Sequence, residues 1–375
     1  MTERSRRPSA RFLAGRPINR VPLRWAALVA ALTLGAGDAA ACTTVCFTDR
    51  STPVVAYNYD FHGGDGLVLV NPRGLAKTSS VDGRPHAWTA RFGSLTFNQF
   101  GRDHPMTGIN ERGLVVAQMW LDEGRYPSAD ARPEVGVLEW IQLQLDTAAS
   151  VADVLQIARD VRIRSRIPLH YLAADRAGNV AVIEFLEGEL RVRAGMELPV
   201  PGLTNSTYAD SMAHLARYQG FGGDTELPRS RRSLDRFVLV AAGRTMGTEL
   251  EPVARAFATL ESVRQDGWTR WSVVYELDRL RVHFRTETHA AVRRVDLAGF
   301  DLACAGPARM LDVDGKLEGD VTGSFSIYAT PANLDLLRRS YRKTPFLTQV
   351  PEARIEAIAR HPDRAHCTLP GAAPR

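Results

Sequence analysis

Ala39-Ala40-Ala41-Cys42-Thr43-Thr44-Val45-Cys46-Phe47 joins a run of small residues to the first predicted strand of the chain. Cleavage after Ala41 would make Cys42 the first residue of the processed protein. A cysteine there carries a thiol and a free α-amine, and an α-amine with a pKa near ~7.7–8.0 accepts protons at neutral pH. The stretch therefore predicts an amide hydrolase in which Cys42 supplies both the nucleophile and the base.

The residues before Cys42 have the composition of a secretory leader. Several arginines precede an apolar run over residues 25–34, and small residues follow as far as Ala41. This pattern is typical of a signal peptide, and the apolar run is too short to span a bilayer. Residues 1–41 are predicted to be removed, which gives a periplasmic or secreted protein without a membrane anchor. Ser5-Arg6-Arg7 leaves the twin-arginine and general secretory routes both open.

The net positive charge of the chain belongs to this leader. The 375 residues include 47 basic and 42 acidic side chains. Residues 1–41 hold seven of the arginines and two of the acids, so 40 side chains of each sign remain in residues 42–375. Bulk charge therefore gives no support to nucleic-acid binding.

The four cysteines predict no metal centre. Cys42 and Cys46 lie on one strand, roughly 13 Å apart, which is too far for a disulfide. Cys304 and Cys367 are able to pair in an oxidising compartment, and the sequence leaves that open. No metal-ligand spacing is present, so neither a metal nor a cofactor is expected.

Periodicity predicts an α+β domain over residues 42–375. Two-residue alternation predicts strands at 43–47, 54–59, 67–70, 90–97, 114–119, 170–174, 180–184, 190–193, 271–277 and 281–285. Helical spacing predicts helices at 137–145, 151–159, 234–242 and 252–260. Strand blocks at both ends indicate largely antiparallel sheets covered by helices. Residues 300–375 are less patterned and are predicted to wrap around the main body.

Four groups of residues follow one another with specific spacing. They are Cys42-Thr43-Thr44, then Tyr57-Asn58-Tyr59-Asp60-Phe61, then Gly108-Ile109-Asn110-Glu111-Arg112-Gly113-Leu114, and finally Leu203-Thr204-Asn205 with Ser233-Leu234-Asp235-Arg236-Phe237. Together they resemble the choloylglycine hydrolase and penicillin V acylase family, in its linear-amide C–N hydrolase branch. The resemblance runs from Cys42 to about Phe284. It implies a four-layer αββα sandwich of the N-terminal-nucleophile hydrolases.

The resemblance also implies a role for each site residue. Cys42 would attack an amide carbonyl and form a thioester, and Asp60 would accept a hydrogen bond from its amine. Asn205 would donate its side-chain N–H to the oxyanion, and the main-chain N–H of Trp120 would be the second donor. Arg236 would lie near the nucleophile and favour the thiolate.

Tyr57 is a departure from the family pattern, which commonly has arginine and in this branch sometimes lysine. A phenol is able to hydrogen-bond the thiol or the carboxylate, but it brings no positive charge. The pKa of the Cys42 thiol is therefore expected to be higher than in an arginine-bearing relative unless Arg236 compensates. Asn58 is a further candidate for a supporting hydrogen bond.

The expected substrate is a small linear amide with a hydrophobic acyl group. Candidates are penicillin V, fatty-acyl amides, acyl-homoserine lactones and conjugated bile acids. Phe61, His62 and Trp120 are predicted to line the acyl pocket. The sequence leaves open a catalytically weak exported binding protein, an acyltransferase on the same sandwich, a papain-like hydrolase using Cys46 or Cys304 with a histidine, and a homo-oligomer.

Overall fold

A computed structural model describes residues 1–2, 42–48 and 52–368, so the prediction of a leader lies almost wholly outside the described residues. The strands are β1 (Thr43–Phe47), β2 (Val54–Asp60), β3 (Leu67–Asn71), β4 (Leu75–Thr78), β5 (Ala87–Thr89), β6 (Ser94–Asn98), β7 (Thr107–Asn110), β8 (Val115–Trp120), β9 (Glu134–Val135), β10 (Arg162–Ile163), β11 (Leu169–Ala174), β12 (Val180–Leu186), β13 (Glu189–Ala194), β14 (Gly202–Leu203), β15 (Thr269–Glu276), β16 (Arg281–Thr286), β17 (Arg293–Asp296), β18 (Arg309–Asp312), β19 (Gly319–Asp320), β20 (Ser326–Ile327) and β21 (His366–Cys367). The helices are α1 (Glu139–Thr147), α2 (Val151–Asp160), α3 (Tyr208–Leu215), α4 (Ser233–Thr245), α5 (Pro252–Ser262), α6 (Thr330–Lys343) and α7 (Glu352–Arg360).

Two large sheets dominate the fold. The first has seven strands in the order β14-β1-β2-β15-β16-β17-β19, and the second has nine in the order β13-β12-β11-β8-β7-β6-β3-β18-β20. Neighbouring strands of the nine-stranded sheet are antiparallel, and in the seven-stranded sheet only β17 and β19 are parallel.

Alternation along β1 separates the two faces of the seven-stranded sheet. Cys42 and Cys46 belong to the core shared with the nine-stranded sheet, whereas Val45 and Phe47 pack with residues of α4 and α5 such as Val240. Because successive strand residues point to opposite faces, this pattern places one layer of helices outside the sheet. Cys42 thus faces the space between the sheets.

The nine-stranded sheet repeats this arrangement on the other side. Ala117 and Met119 of β8 join the core between the sheets, whereas Val116 packs with Trp140 of α1 and Val154 of α2. The order of layers is therefore helices, sheet, sheet and helices. The predicted αββα sandwich is confirmed.

Local hydrogen bonds explain two of the element boundaries. Ser150 caps α2: its side chain accepts from the Asp153 backbone N–H, and the Asp153 side chain accepts from the Ser150 backbone N–H. The strand predicted over 90–97 instead begins at Ser94, because the backbone N–H groups of Arg91 and Phe92 both donate to Asp146 O and hold this stretch outside the ladder.

The C-terminal segment is more regular than the sequence predicted. It contains α6 and α7, which pack through Leu337, Ile355 and Ala359. Only a narrow apolar stripe marks these helices among many charged residues, so their periodicity is weak in the sequence. Cys304 and Cys367 form a disulfide with Cα atoms 5.5 Å apart. The pairing that the sequence left open is therefore present.

Among the described residues, no helix is both long and apolar enough to cross a membrane.

Candidate active site

The Cys42 thiol is buried at the start of β1 and faces the other sheet. β2 runs antiparallel to β1 with Thr44 opposite Tyr57, which brings the phenol to the same inner face. Tyr57 Oη donates a hydrogen bond to Cys42 Sγ at 3.5 Å. The same Oη accepts a hydrogen bond from Gln118 Nε2 at 3.4 Å. The thiol itself has the backbone oxygen of Asp60 at 3.9 Å. The phenol therefore lies beside the Cys42 thiol, one of the two groups that the sequence allowed it to hydrogen-bond.

Burial raises the pKa of the Cys42 thiol to about 12, and the nearby negative charge of Asp60 adds to this shift. The Tyr57 hydrogen bond and the Arg236 charge lower the pKa but do not cancel it. The thiol is therefore protonated at neutral pH and needs a base. Among the described residues, no histidine is hydrogen-bonded to Cys42 Sγ.

Asp60 ends β2 with a fully buried carboxylate. Oδ2 accepts from Gln265 Nε2 at 2.8 Å and lies 4.0 Å from Arg236 Nη1. Burial raises the pKa of Asp60 to about 6, and Arg236 opposes this rise, so the group is charged at neutral pH. Oδ1 has no hydrogen-bond partner among the residues that the structure describes. A buried acceptor is costly to leave unsatisfied, and the part of the chain that the structure describes provides no donor in hydrogen-bonding geometry for this oxygen.

Arg236 projects from the first turns of α4 and connects three parts of the site. Nη1 donates to Cys42 O at 2.7 Å and to Thr43 Oγ1, and Nη2 donates to Asn205 Oδ1 at 2.8 Å. Its hydrogen bonds are therefore to the carbonyl of Cys42 and not to the thiol, and its charge lowers the pKa of Cys42 less than the Tyr57 hydrogen bond does. In this geometry Arg236 positions other groups.

Asn205 follows the short strand β14 and is hydrogen-bonded through both its backbone and its side chain. Its backbone N–H donates to Ser233 Oγ at 2.8 Å, and its Oδ1 accepts from Arg236. Its Nδ2 donates to Trp120 O at 2.9 Å, which joins the two sheets at the end of β8. The two residues predicted as oxyanion donors, Asn205 and Trp120, thus lie in direct contact.

The backbone N–H of Trp120 points away from the ladder with β11. Leu121 N donates to Pro168 O on that side, so the preceding N–H faces the opposite edge of the strand. On the opposite edge, Gln118 N donates to Met106 O, and β7 begins only one residue after Met106. The Trp120 N–H therefore points past the end of the neighbouring strand.

Two predicted residues lie outside this cluster. Asn58 was a candidate for a supporting hydrogen bond, but its Nδ2 donates to Leu260 O at 2.9 Å and its Oδ1 accepts from Ser272 Oγ at 2.7 Å. Strand alternation explains the difference, because Tyr57 faces the core and Asn58 must face the helices. Asn58 anchors β2 to α5.

His62 also does not line the cavity that holds Cys42. It packs edge-on against Phe61 and Trp268 and borders a separate depression with Gly64 and Asp65. The chain turns sharply after β2, so consecutive residues Phe61 and His62 point into different spaces. Of these two candidates, Phe61 lines the cavity that holds Cys42 and His62 does not.

Cys42 opens into a cavity of about 280 Å³. Its wall is mainly apolar and aromatic, with Phe61, Phe100, Met106, Leu138, Trp120 and Phe346 among the lining residues. Such a wall suits a hydrophobic acyl group. Among the described residues, no group of three or more His, Cys, Asp or Glu side chains is arranged to hold a metal ion.

Sequence reasoning missed two polar residues of the site. Gln118 interrupts an otherwise apolar strand, and a polar residue within a hydrophobic run was a usable signal. Gln265, the partner of Asp60, lies in a turn after α5 and carries no such signal. The papain-like alternative with Cys304 is wrong because that sulfur is bonded to Cys367.

Replacing Asn205 with alanine is expected to lower kcat about 10²–10³-fold, because an oxyanion donor acts mainly in the transition state. Steady-state kinetics on the best acyl amide would measure this change. KM should move much less than kcat.

Asn58→Ala is the matched control for Asn205→Ala. Asn58 is also a buried asparagine, but it lies on the face of β2 that packs against α5, away from Cys42. It should lower the melting temperature yet leave kcat within about threefold. Equal losses of kcat in the two variants would remove the special role of Asn205.

Comparison with known proteins identifies the family of the chain. The family model described as linear amide C–N hydrolases, choloylglycine hydrolase family, matches residues 42–310. The chain is 25% identical over 352 residues to a penicillin V acylase of Pectobacterium atrosepticum, covering 80% of this chain and 93% of that protein.

Solved structures show the same fold. A penicillin V acylase from Agrobacterium tumefaciens superposes with a TM-score of 0.68 at 24% identity, covering 77% of this chain and 98% of that one. A variant of a conjugated bile acid hydrolase from Clostridium perfringens has a TM-score of 0.62 at 19% identity, covering 72% of this chain and 97% of that one.

Proposed function

Because this chain belongs to the choloylglycine hydrolase family of linear amide C–N hydrolases, we propose that it cleaves small amides with an apolar acyl group and that Cys42 is the nucleophile. The observation that carries this proposal is the position of the thiol. Cys42 Sγ accepts a hydrogen bond from Tyr57 and opens into an apolar cavity. The buried carboxylate of Asp60 is close enough to raise the pKa of the thiol, and its Oδ1 lacks a hydrogen-bond partner among the described residues.

Processing would supply the missing base. We propose that the chain is exported to the periplasm or the exterior and that cleavage after Ala41 frees the α-amine of Cys42. The amine would be a hydrogen-bond donor next to the Asp60 carboxylate, and a neutral fraction of it would accept the thiol proton. The high pKa of the thiol explains why such a base is needed.

The first half of the reaction forms a thioester. The Cys42 thiol gives its proton to the α-amine, through a water molecule, and Sγ attacks the amide carbonyl. The carbonyl oxygen becomes an oxyanion, which the Asn205 amide and the Trp120 N–H would stabilise. Collapse of this intermediate breaks the C–N bond, and the α-ammonium returns the proton to the leaving amine.

The second half releases the acid. A water molecule loses a proton to the α-amine and attacks the thioester carbonyl, and the same donors stabilise the second oxyanion. The C–S bond then breaks, the carboxylic acid leaves, and the thiolate recovers its proton. The Tyr57 hydroxyl supports the thiolate in both halves because burial, followed by charge at Cys42, holds the pKa of Tyr57 well above its ordinary value and keeps it a donor.

Penicillin V, an acyl-homoserine lactone and a conjugated bile acid are the candidate substrates. The test uses exported protein whose first residue is shown by mass spectrometry to be Cys42. Incubation with phenoxyacetyl, octanoyl and cholyl amides should release amine and acid in equal amounts. Acid-quenched samples should contain the acyl group on the peptide that begins with Cys42.

Failure to release product from any acyl amide, with no acylated peptide, would count against the proposal. A second amine added to the reaction separates hydrolysis from acyl transfer, since a transferase would yield the new amide in place of the acid. An acyl group found on a residue other than Cys42 would assign the nucleophile elsewhere.

A further inference from the structure

The C-terminal segment supplies one wall of the cavity that holds Cys42. Tyr341, Phe346, Leu347, Arg354 and Ile358 all line it, and they lie on or between α6 and α7. These residues come after position 310, where the match to the family model ends. The part of the chain that this match does not cover is therefore in contact with the space where the substrate would bind.

Within this wall, Phe346 contacts aromatic residues of both large sheets. Its ring lies 5.9 Å from that of Trp120 and 6.5 Å from that of Phe61, measured between centroids. Phe61 follows the end of the first sheet's β2 and Trp120 ends the second sheet's β8, so Phe346 bridges the two sheets at the cavity. Half of its surface is exposed, which leaves an apolar ring available to a ligand.

Several contacts fix the segment on the body of the protein. Asp65, in the glycine-rich loop after Phe61, forms ion pairs with Lys343 at 2.6 Å and with Arg339 at 3.1 Å. Asn333 Oδ1 accepts from the backbone N–H of Arg102 at 2.9 Å. Because α6 is anchored near both of its ends, the backbone that leads to Phe346 is held against the body of the protein.

Building on the proposed function, we infer that Phe346 sets the size of the acyl group that the enzyme accepts. A cavity of about 280 Å³ lies just below the ~300–1,000 Å³ usual for small-molecule pockets, so it suits an acyl group of modest size. Phenoxyacetyl and octanoyl groups have about this size. A cholyl group is nearly three times larger and would meet the Phe346 ring.

The test compares selectivity between a large and a medium acyl group. In Phe346→Ala, the ratio of kcat/KM for cholyl to phenoxyacetyl amide should rise at least about tenfold, because the smaller side chain opens the wall and removes apolar contact with the medium group. Phe346→Leu should give an intermediate ratio. Ile327→Ala is the matched control, since Ile327 is an exposed apolar residue of the same segment that does not line the cavity.

A binding measurement separates this inference from the proposed reaction. Calorimetric Kd values of cholic and phenoxyacetic acid should shift in the same direction and by a similar factor in Phe346→Ala. Absence of turnover in the wild type would overturn the reaction, and the Kd ratio would still decide the role of Phe346. A ratio within about twofold of the wild type, in kinetics or in binding if turnover is absent, would overturn the inference.

Discussion

Replacing Cys42 with alanine or serine is expected to lower kcat/KM for the best acyl amide by about 10⁴-fold or more. Alanine removes the only group that would bond to the acyl carbon. Serine keeps the size and the hydrogen-bonding pattern, but its hydroxyl is far less acidic than a thiol and would be a poor nucleophile beside the same α-amine.

The fold should survive both changes. Cys42 precedes β1, and its backbone oxygen, not its sulfur, accepts the hydrogen bond from Arg236. Circular dichroism and a thermal melt should therefore show folded protein with a melting temperature close to that of the wild type. An acylated N-terminal peptide should appear in the wild type and be absent from Cys42→Ala.

Cys46 provides a matched control within the same strand. It is a second buried thiol, on the same inner face of β1 four residues further on. Cys46→Ala should lose some stability through the small cavity it leaves, yet keep kcat within about threefold. If turnover instead followed Cys46 and was unchanged in both Cys42 variants, the assignment of the nucleophile would be wrong.

The structure brings together residues that the sequence singled out, through contacts that the motifs did not specify. Cys42, Asp60, Asn205 and Arg236 came from separate motifs, and the structure brings them into one cluster joined by hydrogen bonds and an ion pair. A motif identifies a residue type at a position but not the atom that it contacts. That Arg236 binds the Cys42 carbonyl, and not the thiol, follows from how α4 packs on β1.

One of the differences between the predicted and the observed positions of site residues could have been recognised from the sequence. Asn58 and Tyr57 are neighbours on one strand, so both could not face the nucleophile, and alternation alone excluded one of them. The turn that separates Phe61 from His62 depends on the glycine-rich loop and on packing against Trp268, which no local pattern encodes. The contribution of Phe346 depends on contacts with residues more than 200 positions away, so it required the three-dimensional structure.

The largest remaining effect is expected from a single residue at the start of the chain. A protein that begins at Cys42 should hydrolyse the acyl amide, whereas one that begins at Ala41 should lose about 10³-fold or more of kcat. An amide nitrogen cannot accept the thiol proton, and the thiol, whose pKa is raised to about 12 chiefly by burial, would have no base. Kinetics on both proteins, with their first residues verified by mass spectrometry, would measure the difference.

The matched control is the protein that begins at Ala41, from which only Ala41 is then removed. Proteolytic removal of Ala41 from the inactive protein should restore turnover, which would show that the loss arises from the blocked amine and not from misfolding. Asp60 is expected to matter only when the α-amine is free. Its Oδ1 has no hydrogen-bond partner among the described residues, so it is available to accept from that amine. Asp60→Asn should accordingly weaken the enzyme that begins at Cys42 and have little further effect on the extended one. Full activity in the protein that begins at Ala41 would show that the α-amine of Cys42 is not the base, and the Ala41 amine and the cavity residue His104 would then be tested in its place.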